Sequence, residues 1–139
     1  MYNIKYYTPV AEEFHIGFEY EWTNKDSNNW IPAIADVEDC YHCVRDIQQN
    51  LNYREYRVKY LNKEDIMSFE LIQRDSERCG GEFRLCFLIP DKCALTYFPD
   101  TNKLYIKDKT EQIFAGIVKN KSELKKLLIQ LEIIKDAKI

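Results

Sequence analysis

Apolar side chains recur along this chain at two different spacings, and each spacing restricts what its stretch can become. Through Phe14-His15-Ile16-Gly17-Phe18-Glu19-Tyr20-Glu21-Trp22 every second residue is aromatic or Ile. That is the period of a strand with one buried and one open face. Tyr53 to Leu61 alternates in the same way, with Tyr56, Val58 and Tyr60 on one side and Arg57 and Lys59 on the other. Toward the end the spacing changes to three and four, with Leu124, Leu127, Leu128, Leu131 and Ile134 forming one helical stripe.

Between these landmarks the remaining elements can be placed. The first ten residues read as an extended arm docking on a sheet. Asp36 is an N-cap for a helix reaching Gln49, with Val37, Tyr41, Val44, Ile47 or Gln48, and Leu51 as its inward positions. Asn62-Lys63-Glu64-Asp65 starts a short helix through Ser68. The strands predicted next are Phe69 to Arg74, Glu82 to Ile89, Ala94 to Phe98, Lys103 to Lys107 and Gln112 to Val118. Polar turns at Ser76 to Gly81, Pro90-Asp91-Lys92 and Asp100-Thr101-Asn102 separate them. The expectation is an α+β fold: an antiparallel β-meander of five to seven strands with helices packed on one face, among them a C-terminal helix from Lys121 to Ile134. With 139 residues and no linker or repeat, the chain reads as one domain, 1–139.

Composition narrows the function classes. A formal charge of −3 argues against non-specific nucleic-acid binding. No apolar run approaches the roughly 18 residues of a membrane span. The start Met1-Tyr2-Asn3-Ile4-Lys5 lacks the apolar stretch of a secretion signal, and five irregularly spaced Cys suit a reducing cytoplasm, so a cytoplasmic location is expected. Ten Tyr, seven Phe and two Trp are an aromatic load suited to an interface, a ligand cleft or a sheet edge. Open strand edges also leave room for homo-oligomers.

Several groupings carry candidate chemistry. On a regular strand His15, Glu19 and Glu21 would share one side, as a metal or acid–base site would require, but His15 and Glu19 would stand about 13 Å apart. The structural alternative is a solvated sheet face. Cys40-Tyr41-His42-Cys43 has zinc-knuckle or redox spacing, with Cys79, Cys86 and Cys93 elsewhere, yet it lies within a helical pattern, where Cys serves as a small apolar residue. No nucleophile elbow or phosphate-binding glycine loop is present, and Gly80-Gly81 reads as a hairpin turn. No catalytic residue, metal ligand or cofactor is therefore assigned. Arg54, Arg57 and Lys59 on one predicted strand, Arg84 on the meander, and Tyr6, Tyr7, Trp22 and Trp30 in arm and loop supply guanidinium forks and ring faces. Such groups clamp a phosphate and stack on a base.

Three stretches together resemble a family of small uncharacterised proteins of gut bacteria and their phages. They are Glu13 to Glu21, Arg57 to Ile66, and Phe114 to Leu128 with its Lys119-Asn120-Lys121-Ser122-Glu123 entry to the last helix. Members of that family often carry Gly where this chain has Phe69. The resemblance carries no established activity, but it implies a phage-type binding protein. The expectation is a non-enzymatic protein acting by occupancy, in the manner of a counter-defence factor, on a host protein. The alternative ligand is a small nucleotide held by the eight Arg, Lys, Tyr and Trp side chains named above, and a metal-dependent enzyme is the third reading.

Overall fold

The period-two stretch around Tyr56 and Val58 forms a strand, and the first part of the chain is arranged around it. The computed structural model describes residues 5–24, 27–51, 53–79, 82–90, 92–109 and 111–135. The chain is α+β and divides into two compact units, Met1–Tyr60 and Leu61–Ile139. In the first unit β1 (Tyr6–Tyr7), β2 (Glu19–Asn24), β3 (Ile31–Ile34) and β4 (Arg54–Lys59) pair antiparallel in the order β1-β4-β2-β3. Helix α1 (Val37–Gln48) supplies Cys43, Val44 and Ile47 to a core shared with Phe14, Phe18, Tyr20, Tyr56 and Val58.

Helix α1 begins where the sequence places it. The Asp36 carboxylate accepts from the Asp39 amide at 2.8 Å, and the Asp39 carboxylate accepts from the Asp36 amide at 3.2 Å. It ends in a Schellman turn, with Asn50 left-handed at φ 51° and the Leu51 amide returning to Asp46 O at 3.1 Å. Its inward face differs from the predicted stripe, because Val37 and Tyr41 are exposed while Cys43 is buried. The small thiol side chains at Cys40 and Cys43 fit against the aromatic core.

Hydrogen-bond parity in this sheet decides which main-chain groups face outward. In an antiparallel ladder, residues whose N–H and C=O point to one neighbour alternate with residues whose groups point to the other. The Tyr60 amide donates to Lys5 O at 2.9 Å, so Tyr60, Val58, Tyr56 and Arg54 face the β1 side. The Ala35 amide donates to Phe18 O at 2.9 Å, which assigns Phe18, Tyr20 and Trp22 to β3 and leaves Glu21 and Thr23 for β4. The two assignments agree. On β3 the same count turns Pro32 and Ile34 outward, so the missing proline N–H falls on the open edge.

The second unit is the meander. β5 (Ile72–Cys79), β6 (Glu82–Ile89), β7 (Cys93–Phe98), β8 (Lys103–Lys107) and β9 (Gln112–Ile117) pair in sequence order, all antiparallel. Register stacks Leu85, Tyr97, Leu104 and Gly116 in one row across the sheet, and Phe87, Leu95, Ile106 and Phe114 in the next. A Cβ at Gly116 would meet the Phe114 ring at 2.8 Å, so glycine leaves the space into which that ring leans. Ile66 of α2 (Lys63–Met67) and Leu124 and Leu128 of α3 (Lys121–Gln130) belong to the same buried cluster as these rows. Asn62 and Asn120 cap the two helices, accepting from the Asp65 and Glu123 amides at 2.9 and 2.8 Å.

The α+β class, the C-terminal helix and an antiparallel meander, here of five strands, are as expected, and among the described residues four further strands form a second sheet. Several finer expectations are corrected. The strand expected at Phe14 begins only at Glu19. Ala11–Glu13 form a 3-10 turn, and a β-turn closed by the Phe18 amide on His15 O at 3.0 Å has Gly17 at φ 91°. Phe14 and Phe18 remain buried, but Ile16 is 69% exposed at the turn's corner. Strand β5 starts at Ile72, after Phe69 and a left-handed Glu70, and runs through Ser76 to Cys79, residues predicted as turn. Gly80, Gly81 and Asp91 lie outside the described residues, as do residues 1–4 of the arm.

Helix α3 stops at Gln130, short of the expected Ile134. Glu132 adopts φ 59°, its amide bonds Ile129 O at 3.0 Å and the Ile133 amide bonds Leu128 O at 2.9 Å, a Schellman motif with buried Leu128 and Ile133 as its apolar contact. A side chain at this left-handed position is strained. Glu132→Gly is therefore expected to raise stability by about 0.5–1 kcal/mol, after the entropy glycine adds to the unfolded chain. Denaturant midpoints of the two proteins at equal slope check this, and a lower midpoint in the variant would contradict it.

Candidate functional site

Strand β1 is only two residues long, too short to hold by its ladder alone, so side chains fasten it. The Arg57 guanidinium lies 3.7 Å from the centre of the Tyr6 ring and 4.2 Å from that of Trp30. Its Nε and Nη2 donate to Glu21 Oε1 at 2.8 and 2.7 Å across the β2–β4 pair. Tyr7 packs against Tyr60 with ring centres 4.8 Å apart and planes tilted by 41°, and its hydroxyl donates to Glu13 at 2.7 Å. A partly exposed ion pair contributes about 0–1 kcal/mol and each cation–π contact about as much. The cluster positions these groups rather than dominating stability.

Beyond β1 a cleft of about 550 Å³ runs along β4. Tyr6, Tyr7 and Thr8 of the arm, Trp30, and Arg54 to Arg57 line it, and Asp46 and Ile47 of α1 with Asn50 of the turn that follows close the other side. Its size is that of an ordinary small-ligand or side-chain pocket. The lining carries two arginines, Arg54 and Arg57, and two carboxylates, Asp46 and Glu55, so its formal charge balances. Arg54 lies 4.0 Å over the Trp22 ring.

Of the residues singled out from sequence, Tyr6, Tyr7, Trp30, Arg54 and Arg57 meet at this cleft. Trp22 supports Arg54 from beneath without lining the cleft. Lys59 sits farther along β4, opposite Tyr6 in the β1 pairing, and Arg84 belongs to β6 in the other unit. Sequence reasoning missed Asp46, Ile47, Asn50, Glu55 and Tyr56. One signal was available for Asp46: it falls beside Cys43 and Ile47 on the helix stripe, an inward position unusual for a carboxylate.

Under the cleft lies a buried polar relay. Asp46 accepts from the Tyr56 hydroxyl at 2.7 Å and from the Tyr53 amide at 3.3 Å, and the Cys43 thiol lies 3.5 Å from the Tyr20 hydroxyl. Burial pushes the Cys43 thiol above its ordinary value. Tyr20 is raised by burial and then by its bond with Cys43, and Tyr56 by burial and then by its bond to Asp46. Cys40 is raised too, by burial and by the Asp39 and Asp36 carboxylates. Redox and zinc-binding thiols need the reverse shift. Cys86 and Cys93 lie in the other unit, and Cys79 has no described side chain. His15 sits in the turn with Nδ1 at 2.9 Å from Glu13 O, off the strand that carries Glu19 and Glu21. Among the described residues no three His, Cys, Asp or Glu side chains group as metal ligands, and no helix is long and apolar enough to cross a membrane.

No family model, curated protein or solved structure matches the chain.

The buried thiol and phenols give a pH prediction. Each is held protonated in the folded chain, so above about pH 9 the folded state binds more protons than the unfolded one. Their contribution is complete below that pH and is lost as pH rises through the folded-state values. Phenolate absorbance should show Tyr20 and Tyr56 ionising only on alkaline unfolding. Ionisation of these two phenols in a still-folded protein would refute it.

Proposed function

We propose that the chain is a non-catalytic binding protein that acts by occupying a protein partner in the cytoplasm, the mode expected of a phage-type counter-defence factor. The observation that carries this reading is the Tyr6–Arg57–Trp30 sandwich at the cleft mouth. Tyr, Arg and Trp dominate binding hot spots because each presents a large surface with a polar handle. Here all three are held in place before any partner arrives, with 27% of the Arg57 side chain still exposed. That lowers the ordering cost of association. The buried groups beneath suit a rigid support better than proton transfer, since raised thiol and phenol values move them away from the neutral range a general acid or base needs.

A nucleotide-type ligand is the second reading, and the cleft volume favours it. The charge balance weighs the other way. Glu21 already takes two of the Arg57 donors and both ring faces beside it lie against the guanidinium, so a phosphate and base would have to displace existing partners.

Affinity capture from bacterial lysate with wild type and Trp30→Ala, together with native mass spectrometry of the purified chain, tests both. The proposal expects one protein recovered by wild type and weakened about 30-fold or more by the variant, the effect of losing a hot spot of about 2 kcal/mol. Equal recovery by the two proteins, or an anionic small-molecule guest in the mass spectrum, would overturn it.

A further inference from the structure

The cleft has a feature that side chains alone do not explain. Strand β1 pairs with β4 only at Lys59 and Val58, then the chain leaves. Continuing the register, Pro9 would stand opposite Tyr56 at a position where the two residues exchange hydrogen bonds. Pro9 has no N–H to give. It is buried, and the Ala11–Glu13 turn follows at once. By the same parity the N–H and C=O of Tyr56 and of Arg54 point to the side that β1 has vacated. Among the described residues no strand covers them there, and the cleft opens along these residues.

We infer that this edge takes an extended segment of the partner as an added antiparallel strand, prolonging the line of β1 past Pro9. The inference rests on the binding-protein reading and specifies its partner's chemistry. One residue of the guest exchanges main-chain hydrogen bonds with Tyr56 and the second residue after it does so with Arg54. Side chains then alternate. The first points to the α1 side, over Ile47 and Tyr56, and suits an apolar group. The middle one stands opposite Glu55 on the other face and suits a basic group. The third is beside Arg54, which is stacked on Trp22 and, among the described residues, forms no ion pair of the kind that ties Arg57 to Glu21, so it suits an acidic group. Apolar, basic, acidic is the order the edge should select.

The test uses the full chain and a short acetylated, amidated peptide with valine, lysine and glutamate at its centre and serine elsewhere. The peptide should bind and slow hydrogen exchange at the Tyr56 and Arg54 amides. N-methylation of its valine or glutamate should weaken binding about tenfold or more, whereas N-methylation of the lysine, whose amide faces away, should change it less than about twofold. Arg54→Glu should weaken the parent peptide and favour one with lysine in place of glutamate. Equal effects of all three N-methyl groups, unchanged exchange at Tyr56, or no binding would each overturn strand addition. If the whole partner is still captured by wild type and lost by Trp30→Ala, the broader reading survives that failure; if Trp30→Ala captures it undiminished, the broader reading fails.

Discussion

The placement of β1, and with it the cleft, depends on one guanidinium. Arg57 belongs to β4, yet it lies against a ring from β1 and a ring preceding β3, and its donors are tied to a carboxylate on β2. Arg suits this place because its planar fork can stack and donate at once, which the compact, strongly hydrated ammonium of Lys cannot reproduce. Each contact is weak by itself. Together they hold a two-residue strand in register and leave the neighbouring main chain uncovered.

Both units bury polar groups within their cores. The meander packs Leu, Ile and Phe in rows, and its fully buried Tyr97 hydroxyl lies 2.8 Å from Asn102 Nδ2 and 3.4 Å from Val118 O. The first unit buries a carboxylate, two phenols and a thiol among aromatic rings, which contact edge to face around Phe14. Such groups contribute to stability only while each is hydrogen-bonded. Asp46 therefore couples the cleft floor to the core, since the residue lining the opening also anchors Tyr56.

Strand period and capping chemistry were legible where burial was one-sided. Glu82–Ile89 and Lys103–Lys107 match their predicted bounds, and the Asp36, Asn62 and Asn120 caps fall where short polar side chains precede helical stripes. The strand expected from Phe14 failed because alternation does not distinguish a strand from two buried aromatics flanking a turn; Gly17 was the breaker within the pattern. On α1, counting Cys as incidental hid the inward face. The last helix looked longer than it is because Ile133 and Ile134 continue the apolar spacing after the backbone has reversed at Glu132. Five members of the cleft could be named as a chemical class from sequence, but their meeting point could not. It depends on where β1 ends, and Pro9 ends it through a hydrogen bond that is not made.

Pro32 gives the four-stranded sheet a direction. Were both outer margins receptive, copies of this unit could join head to tail through β3 and β4, and each addition would offer a fresh margin to the next. A pyrrolidine ring on the outward row of β3 interrupts that lattice of donors, so the far margin of the sheet is a poor seat for a further strand. One imino acid thus sets this margin against the end-to-end stacking that an unbroken row of amides would invite.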